Sequence, residues 1–248
     1  MFVTEMPNKN IHKKGFSPEP PEGCDLSKER ILLHCCCAPC STAIIEWMVG
    51  AGLRPGIFFS NSNIVPFREY SIRRDELIRY AAAHGLETID DEYDHAAWLA
   101  FVRRLETSPV AEPVVRQVQG SVIRIADMPE RGPRCLECFK FRLLRAARYA
   151  AVNGYTLLTT TLASSRWKDL EQVDTAGRWA CDVVNGACDN ESVTDLDSEV
   201  GPESLLSGRN KVLWWNQNWR RGGLQERRNA LIKEWDMYNQ TFCGCEFS

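Results

Sequence analysis

Eleven cysteines punctuate this chain, and eight of them fall in three groups. Cys35, Cys36, Cys37 and Cys40 close the stretch "ILLHCCCAPC". Cys135 and Cys138 form a Cys-x-x-Cys in "RCLECF", and Cys243 and Cys245 a Cys-Gly-Cys in "TFCGCEFS". A Cys-x-x-Cys aims two thiolates at one metal ion, and two such groups complete a four-sulfur site. The candidates are zinc or an iron–sulfur cluster. Paired zinc knuckles are usually close in sequence, whereas several secondary elements separate these two groups. A disulfide across Cys-Gly-Cys would close a small, strained ring, and strained disulfides are the labile, redox-active kind. The central glycine tolerates the backbone this needs. The same pair could instead ligate metal. Cys24, Cys181 and Cys188 stand alone and read as incidental or buried thiols.

Strands and helices must bring these groups together. "ILLHC", "RPGIFFSN", "ETIDDEY" and "TLLTTTLA" read as short buried strands. Helical periods run through "STAIIEWMVGAG" and through "EYSIRRDELIRYAAAHG", where Leu77, Ile78 and Ala81 mark the apolar face and Glu69 can pair with Arg73. A further helix surrounds Trp98, Phe101, Val102 and Leu105. "CLECFKFRLLRAARYAAVNG" aligns Phe139, Leu143, Ala147 and Ala150, and "DLEQVDTAGRWACDVV" and "LQERRNALIKEWDMYNQ" complete the set. Strand alternating with helix predicts an α/β fold, a Rossmann-like parallel sheet flanked by helices. Ligands of such sheets bind at the carboxyl ends of the strands, where "ILLHC" runs into its thiols.

The composition is that of an ordinary globular chain, 44% hydrophobic and 25% charged, with a net charge of −3. Residues 182–203 carry seven acidic groups and no basic one. They read as a solvated loop and hide a net positive remainder. The expected organisation is a flexible or surface-draped leader over 1–30 and a single α/β catalytic domain over 31–248, with insertions near 106–134 and 182–208. No apolar run is long enough for a membrane span. The first residues lack the apolar core of a secretory signal, so a cytoplasmic, reducing setting is expected. Thiols there serve metal or redox chemistry more often than structural disulfides.

Several cationic and aromatic residues are softer candidates for holding an RNA. Tyr70, Arg73 and Arg74 lie on one predicted helix, Arg166 and Lys168 follow a strand end, and Trp219, Arg220 and Arg221 precede a Gly-Gly turn. Rings that stack on bases beside cations that meet phosphates suit single-stranded RNA. A solvated helix face paired with Glu69 and Glu76 explains the first three equally well. His34, beside the thiols, could donate a proton or simply fill a strand end.

The blocks "LLHCCCAPCS", "FFSNSNIVPFREYSIRRDEL", "RCLECFKFRL", "TTTLASSRWKDLEQV", "NWRRGG" and "MYNQTFCGCEFS" resemble, in order and spacing from about residue 31 to 248, the cobalamin-independent epoxyqueuosine reductases of the QueH type. The leader, 106–134 and 182–203 depart from that pattern and look like insertions. The resemblance implies removal of the epoxide oxygen of epoxyqueuosine at the wobble position of a tRNA anticodon, the last step of queuosine biosynthesis. It implies a [4Fe–4S] cluster on Cys36, Cys37, Cys135 and Cys138, with Cys40 placed for an additional iron ion. It makes Cys243 and Cys245 a redox-active pair that cycles through a disulfide bond, fed by an electron donor, in a monomer. The role of Cys35 stays open.

Two other readings compete. A nucleotide-activating or sulfur-transfer enzyme on the same kind of sheet would need a Gly-rich phosphate loop after the first strand, where this chain has cysteines. A zinc-stapled RNA-binding module remains, and the colour of anaerobically purified protein separates it from an iron–sulfur enzyme.

Overall fold

The computed structural model describes residues 16–106, 124–186 and 211–248. Five strands make one parallel sheet: β1 (Ile31–Cys35), β2 (Gly56–Phe59), β3 (Thr88–Asp90), β4 (Leu157–Thr160) and β5 (Leu213–Trp214). Six α-helices connect or cover them: α1 (Ala38–Gly50), α2 (Phe67–Ala83), α3 (His95–Arg103), α4 (Pro133–Val152), α5 (Leu170–Val184) and α6 (Leu224–Glu234). The sheet order is β3-β2-β1-β4-β5. In register, Leu33 lies opposite Ile57 on one side and Thr159 on the other.

This order follows from the chain's course. From β1 it winds outward through α1 and α2 to β3, then returns through α4 to β4 on the other side of β1. Right-handed crossovers in opposite directions place their helices on opposite faces. One layer holds α1 with α2 and α6, the other α4 with α3 and α5. The central strand is therefore covered on both faces, which is why "ILLHC" is apolar without alternation and wholly buried. Each fully buried Leu or Ile there contributes about 1.5–3 kcal/mol relative to exposure.

Some elements differ from the sequence reading. The strand β5 was not anticipated, because two residues carry no period. On α2 Leu77 and Ala81 are buried as expected, with Glu69, Tyr70, Arg73 and Tyr80 beside them, while Ile78 is exposed. The expected insertion 106–134 reaches into ordered structure: Ile125 and Met128 pack with Trp98, Phe101 and Phe141, and α4 already starts at Pro133. The acidic segment likewise begins inside the last turn of α5. Residues 187–210, with Cys188, and residues 107–123 and 1–15 lie outside the described residues. Residues 16–30 of the expected leader lie along the domain. Phe16 packs on Trp47 and Trp219, and the Trp215 indole donates to the Glu19 carbonyl at 2.9 Å. No described helix is long and apolar enough to cross a membrane.

Candidate redox-metal site

Reversal of strand order between β1 and β4 opens a crevice at their carboxyl ends, the place where such sheets bind ligands. Cys36 and Cys37 occupy the turn out of β1, and Cys37 caps α1. Pro39, in the first turn, has a fixed φ suited to a helix start and removes an amide that would lack a partner. The fold of this turn is tied to the neighbouring strand. The Cys36 amide donates to Thr161 Oγ1 at 3.1 Å, and Ser41 Oγ donates to the Cys37 carbonyl at 2.7 Å. Asn61, after β2, donates from Nδ2 to the Cys35 carbonyl at 2.9 Å. The result is a nest in which the sulfurs of Cys36, Cys37 and Cys40 all lie within 4.8 Å of one another, Cys36 to Cys37 at 3.9 Å. Cys35, still on the strand, points into the core instead, where burial keeps its thiol protonated.

Helix α4 brings the second group. Cys135 sits in its first turn and Cys138 one turn on, with Arg142 after them on the same face. Cys135 lines the cavity and accepts from the Arg131 amide at 3.3 Å. Cys138 lies beneath it, buried with Trp98 and Phe141. Both cysteine groups thus stand at helix N-termini, whose partial positive charge favours thiolate, but at α4 burial outweighs it and raises both the Cys135 and the Cys138 thiol above the ordinary value.

The C-terminal tail supplies the third group and is held from three sides. Val65 donates its amide to the Gly244 carbonyl at 2.8 Å. Arg73, paired with Glu69 at 2.7 Å, donates to the Cys243 carbonyl at 2.9 Å. Arg134 donates to the Phe247 carbonyl at 3.2 Å. Gly244 has φ +100, a conformation that favours glycine, and a Cβ there would crowd the Arg73 guanidinium at 3.1 Å. Clamped in this way, Cys243 receives the Lys168 ammonium at 2.7 Å.

A cavity of about 260 Å³ joins these parts, with Cys36, Cys37, Cys40, Cys135, Cys243 and Cys245 all on its wall. Its charge is unusual. Arg142 is fully buried and donates only to the Ser60 carbonyl and to Asn61 Oδ1. Lys168 meets a sulfur. Among the described residues neither cation pairs with a carboxylate. Buried cations without a counter-ion cost several kcal/mol each, so the site is arranged for an anion. The thiols respond. Bonds from Cys37 and Cys40, helped by Arg142, outweigh burial and hold Cys36 well below the ordinary thiol value. Cys37 is raised by burial, and Cys40, bonded to the Cys36 thiolate, is pushed up to about 12. In the tail, the Cys245 bond and the Lys168 charge outweigh burial and favour Cys243 as thiolate, while Cys245 keeps its proton. Burial works against the Lys168 ammonium, but the Cys243 thiolate more than offsets it.

Lys168→Met should therefore move the pH midpoint for alkylation of Cys243 upward, since removing the cation raises the pKa of the thiol. Mass-mapped alkylation across pH checks this, and an unmoved midpoint would remove Lys168 from the pair.

The model of the family described as "Epoxyqueuosine reductase QueH" matches residues 31–187 and 198–248. The chain belongs to the QueH family. Proteins named Epoxyqueuosine reductase QueH share 33% identity with it in Histophilus somni, over 88% of this chain and 72% of that protein. The one from Acinetobacter baylyi shares 32% over 89% and 80%, and the one from Thermotoga maritima 27% over 88% and 89%. Membership makes the chain an oxidoreductase.

In this QueH chain the residues singled out from the sequence do not all face the cavity. Tyr70 is buried and donates from its hydroxyl to Asp90 at 2.8 Å. Arg73 is buried and spent on Glu69 and the tail, which gives it a positioning role. Arg74 pairs with Asp75 and Asp90 at the surface. Trp219 has no exposed face, being enclosed by Phe16, Trp47 and Trp215. Arg220 donates to the carbonyls of Ser165 and Lys168. Arg166 and Arg221 are exposed. His34 is buried, with Nε2 3.1 Å from the Ser60 carbonyl and Nδ1 2.7 Å from Thr160 Oγ1. Burial and Arg142 push its pKa down to about 3, so it fills the strand end as a neutral ring. Arg142 escaped the sequence reading, although its signal was there: Cys135, Cys138 and Arg142 recur at three- and four-residue steps on one helix face.

Proposed function

We propose that this chain reduces the epoxide of epoxyqueuosine in the wobble position of a tRNA anticodon, giving the alkene of queuosine. The observation that carries the reading is the cavity itself, with six cysteines on its wall beside the buried Arg142 and the half-buried Lys168, neither of which has a carboxylate partner among the described residues. Thiolate-ligated iron–sulfur clusters are anionic, and this surrounding suits one. Cys36, Cys37, Cys135 and Cys138 would hold a [4Fe–4S] cluster, and Cys40 an additional iron ion. Bound there, the cluster supplies an electron store, and the additional iron a Lewis acid for the epoxide oxygen.

The chain's own groups account for the balance. Converting the epoxide to an alkene and water takes two electrons and two protons. Oxidation of Cys243 thiolate and Cys245 thiol to a disulfide releases two electrons and one proton. The second proton is available on Lys168. Once the disulfide forms, Cys243 no longer carries charge, and a partly buried ammonium without its anion gives up a proton more readily. An external electron donor then restores the dithiol. The reading places the enzyme in the cytoplasm as a monomer.

The test is incubation of anaerobically purified protein and a reductant with tRNA carrying epoxyqueuosine, followed by nucleoside mass spectrometry. Loss of one oxygen from the modified nucleoside, from a brown protein containing iron and sulfide, is the expected result. A colourless zinc protein that binds this tRNA without changing it would establish the zinc-stapled module instead.

A further inference from the structure

Trp167 is the most exposed large hydrophobic side chain among the described residues, at 74%, yet it lines the wall of the thiol cavity. Its exposure is not the looseness of a surface loop. The carbonyls of Ser165, Arg166, Trp167 and Lys168 are each bonded by a guanidinium. Arg220 takes the first and last, and Arg131 reaches Arg166 and Trp167, each at 3.0 Å. The Lys168 amide closes a turn onto the Ser165 carbonyl at 3.2 Å. Two arginines thus fix a segment that sends one side chain, Lys168, to Cys243 and holds the preceding ring in solvent at the cavity. Phe242, 44% exposed and next to Cys243, lines the same cavity. The exposed Arg166 adds a cation for a phosphate.

We propose that Trp167 is the platform on which a nucleobase flanking the wobble nucleotide stacks when that nucleotide enters the cavity. This rests on the RNA-reducing function proposed above. For its epoxide to reach thiols lining a cavity, the modified base must leave its stack, and doing so strips its neighbour of a partner. An aromatic side chain on a backbone already fixed in place restores that stacking at a reduced ordering cost, whichever base the neighbour carries.

The test is a cycle in two variables. Anticodon stem-loops carrying epoxyqueuosine are made intact, or abasic at the nucleotide 5′ or 3′ of it. Their binding to the iron-loaded wild type and to Trp167→Ala is compared. With the intact RNA, Trp167→Ala should weaken binding about tenfold, the lower range for one stacked base, and leave iron content unchanged. With one of the two abasic RNAs the same substitution should cost nothing further, because the partner ring is already gone. Trp167→Phe should recover most of the intact-RNA affinity. An equal loss with all three RNAs, or no loss with any, overturns the platform while wild-type reduction of the intact RNA leaves the enzyme's function standing. Failure of the wild type to bind or reduce the intact RNA overturns both.

Discussion

Cys243→Ser protein should retain its iron and its colour and bind tRNA normally, yet lose turnover by about 1000-fold or more, the scale seen when one member of a concerted reactive set is removed. Serine replaces the sulfur with an oxygen of similar shape. Its hydroxyl stays protonated at neutral pH, offers the Lys168 ammonium no anion, and forms no disulfide. The structure makes the substitution selective. Cys243 is placed by its backbone, through the Arg73 bond to its carbonyl and the Val65 bond to Gly244, and neither involves the sulfur. The tail should therefore keep its position while its chemistry is gone. Cys245→Ser should lose turnover as well, leaving Cys243 a thiolate with no partner to oxidise against. Iron analysis, visible spectra and single-turnover assays of both variants check this. Loss of iron in both would make the tail cysteines ligands. Undiminished turnover with a strong chemical reductant would leave them only a route for the natural donor.

The second large effect is expected at α4. Cys135→Ala and Cys138→Ala should each lose most of the bound iron and all measurable activity, because a cluster short of one thiolate is weakly held. Cys40→Ala should behave differently. It should retain the cluster spectrum, give up the additional iron, and reduce epoxyqueuosine far more slowly. The geometry sharpens the comparison. Cys40 shares the nest with Cys36 and Cys37, whereas Cys138 lies buried under Cys135 beside Trp98. Anaerobic iron and sulfide determination on the three variants decides the matter. If Cys40→Ala empties the site and Cys138→Ala keeps it, the fourth ligand is Cys40 and Cys138 belongs to the core. Thermal unfolding of each variant separates loss of a ligand from loss of packing, since Cys138 fills buried space and Cys40 faces the cavity.

Much of the fold was legible locally. "ILLHC" is buried on both faces, and a run without alternation says so directly. Phe139, Leu143, Ala147 and Ala150 repeat at the helical period and are all buried on α4. The three cysteine groups were legible too, because spacings of one and two residues bring sulfurs together whatever lies beyond them. The family blocks added the reaction, which no period or spacing could name.

Other features depended on which distant segment covers which side chain. Trp219 and Trp167 both stand in short loops beside arginines, and nothing local tells them apart. Trp219 is enclosed because Phe16 and Trp47, far away in sequence, close over it. Trp167 is left outside because Arg131 and Arg220 hold its backbone, not its ring. Cys35 and Cys36 are neighbours, yet the end of β1 sends one thiol into the core and the next into the cavity. Arg73 reads as a surface cation on a charged helix until the tail folds across it. Sequence by itself determined what depends on a residue's near neighbours: the strands, the helices, the paired thiols and the family. Tertiary structure alone decided which side chains are covered and which distant groups meet, as in the 2.9 Å bond from Arg73 to Cys243, because those contacts join residues far apart in sequence; a local ion pair such as Glu69 with Arg73 was already legible from its spacing.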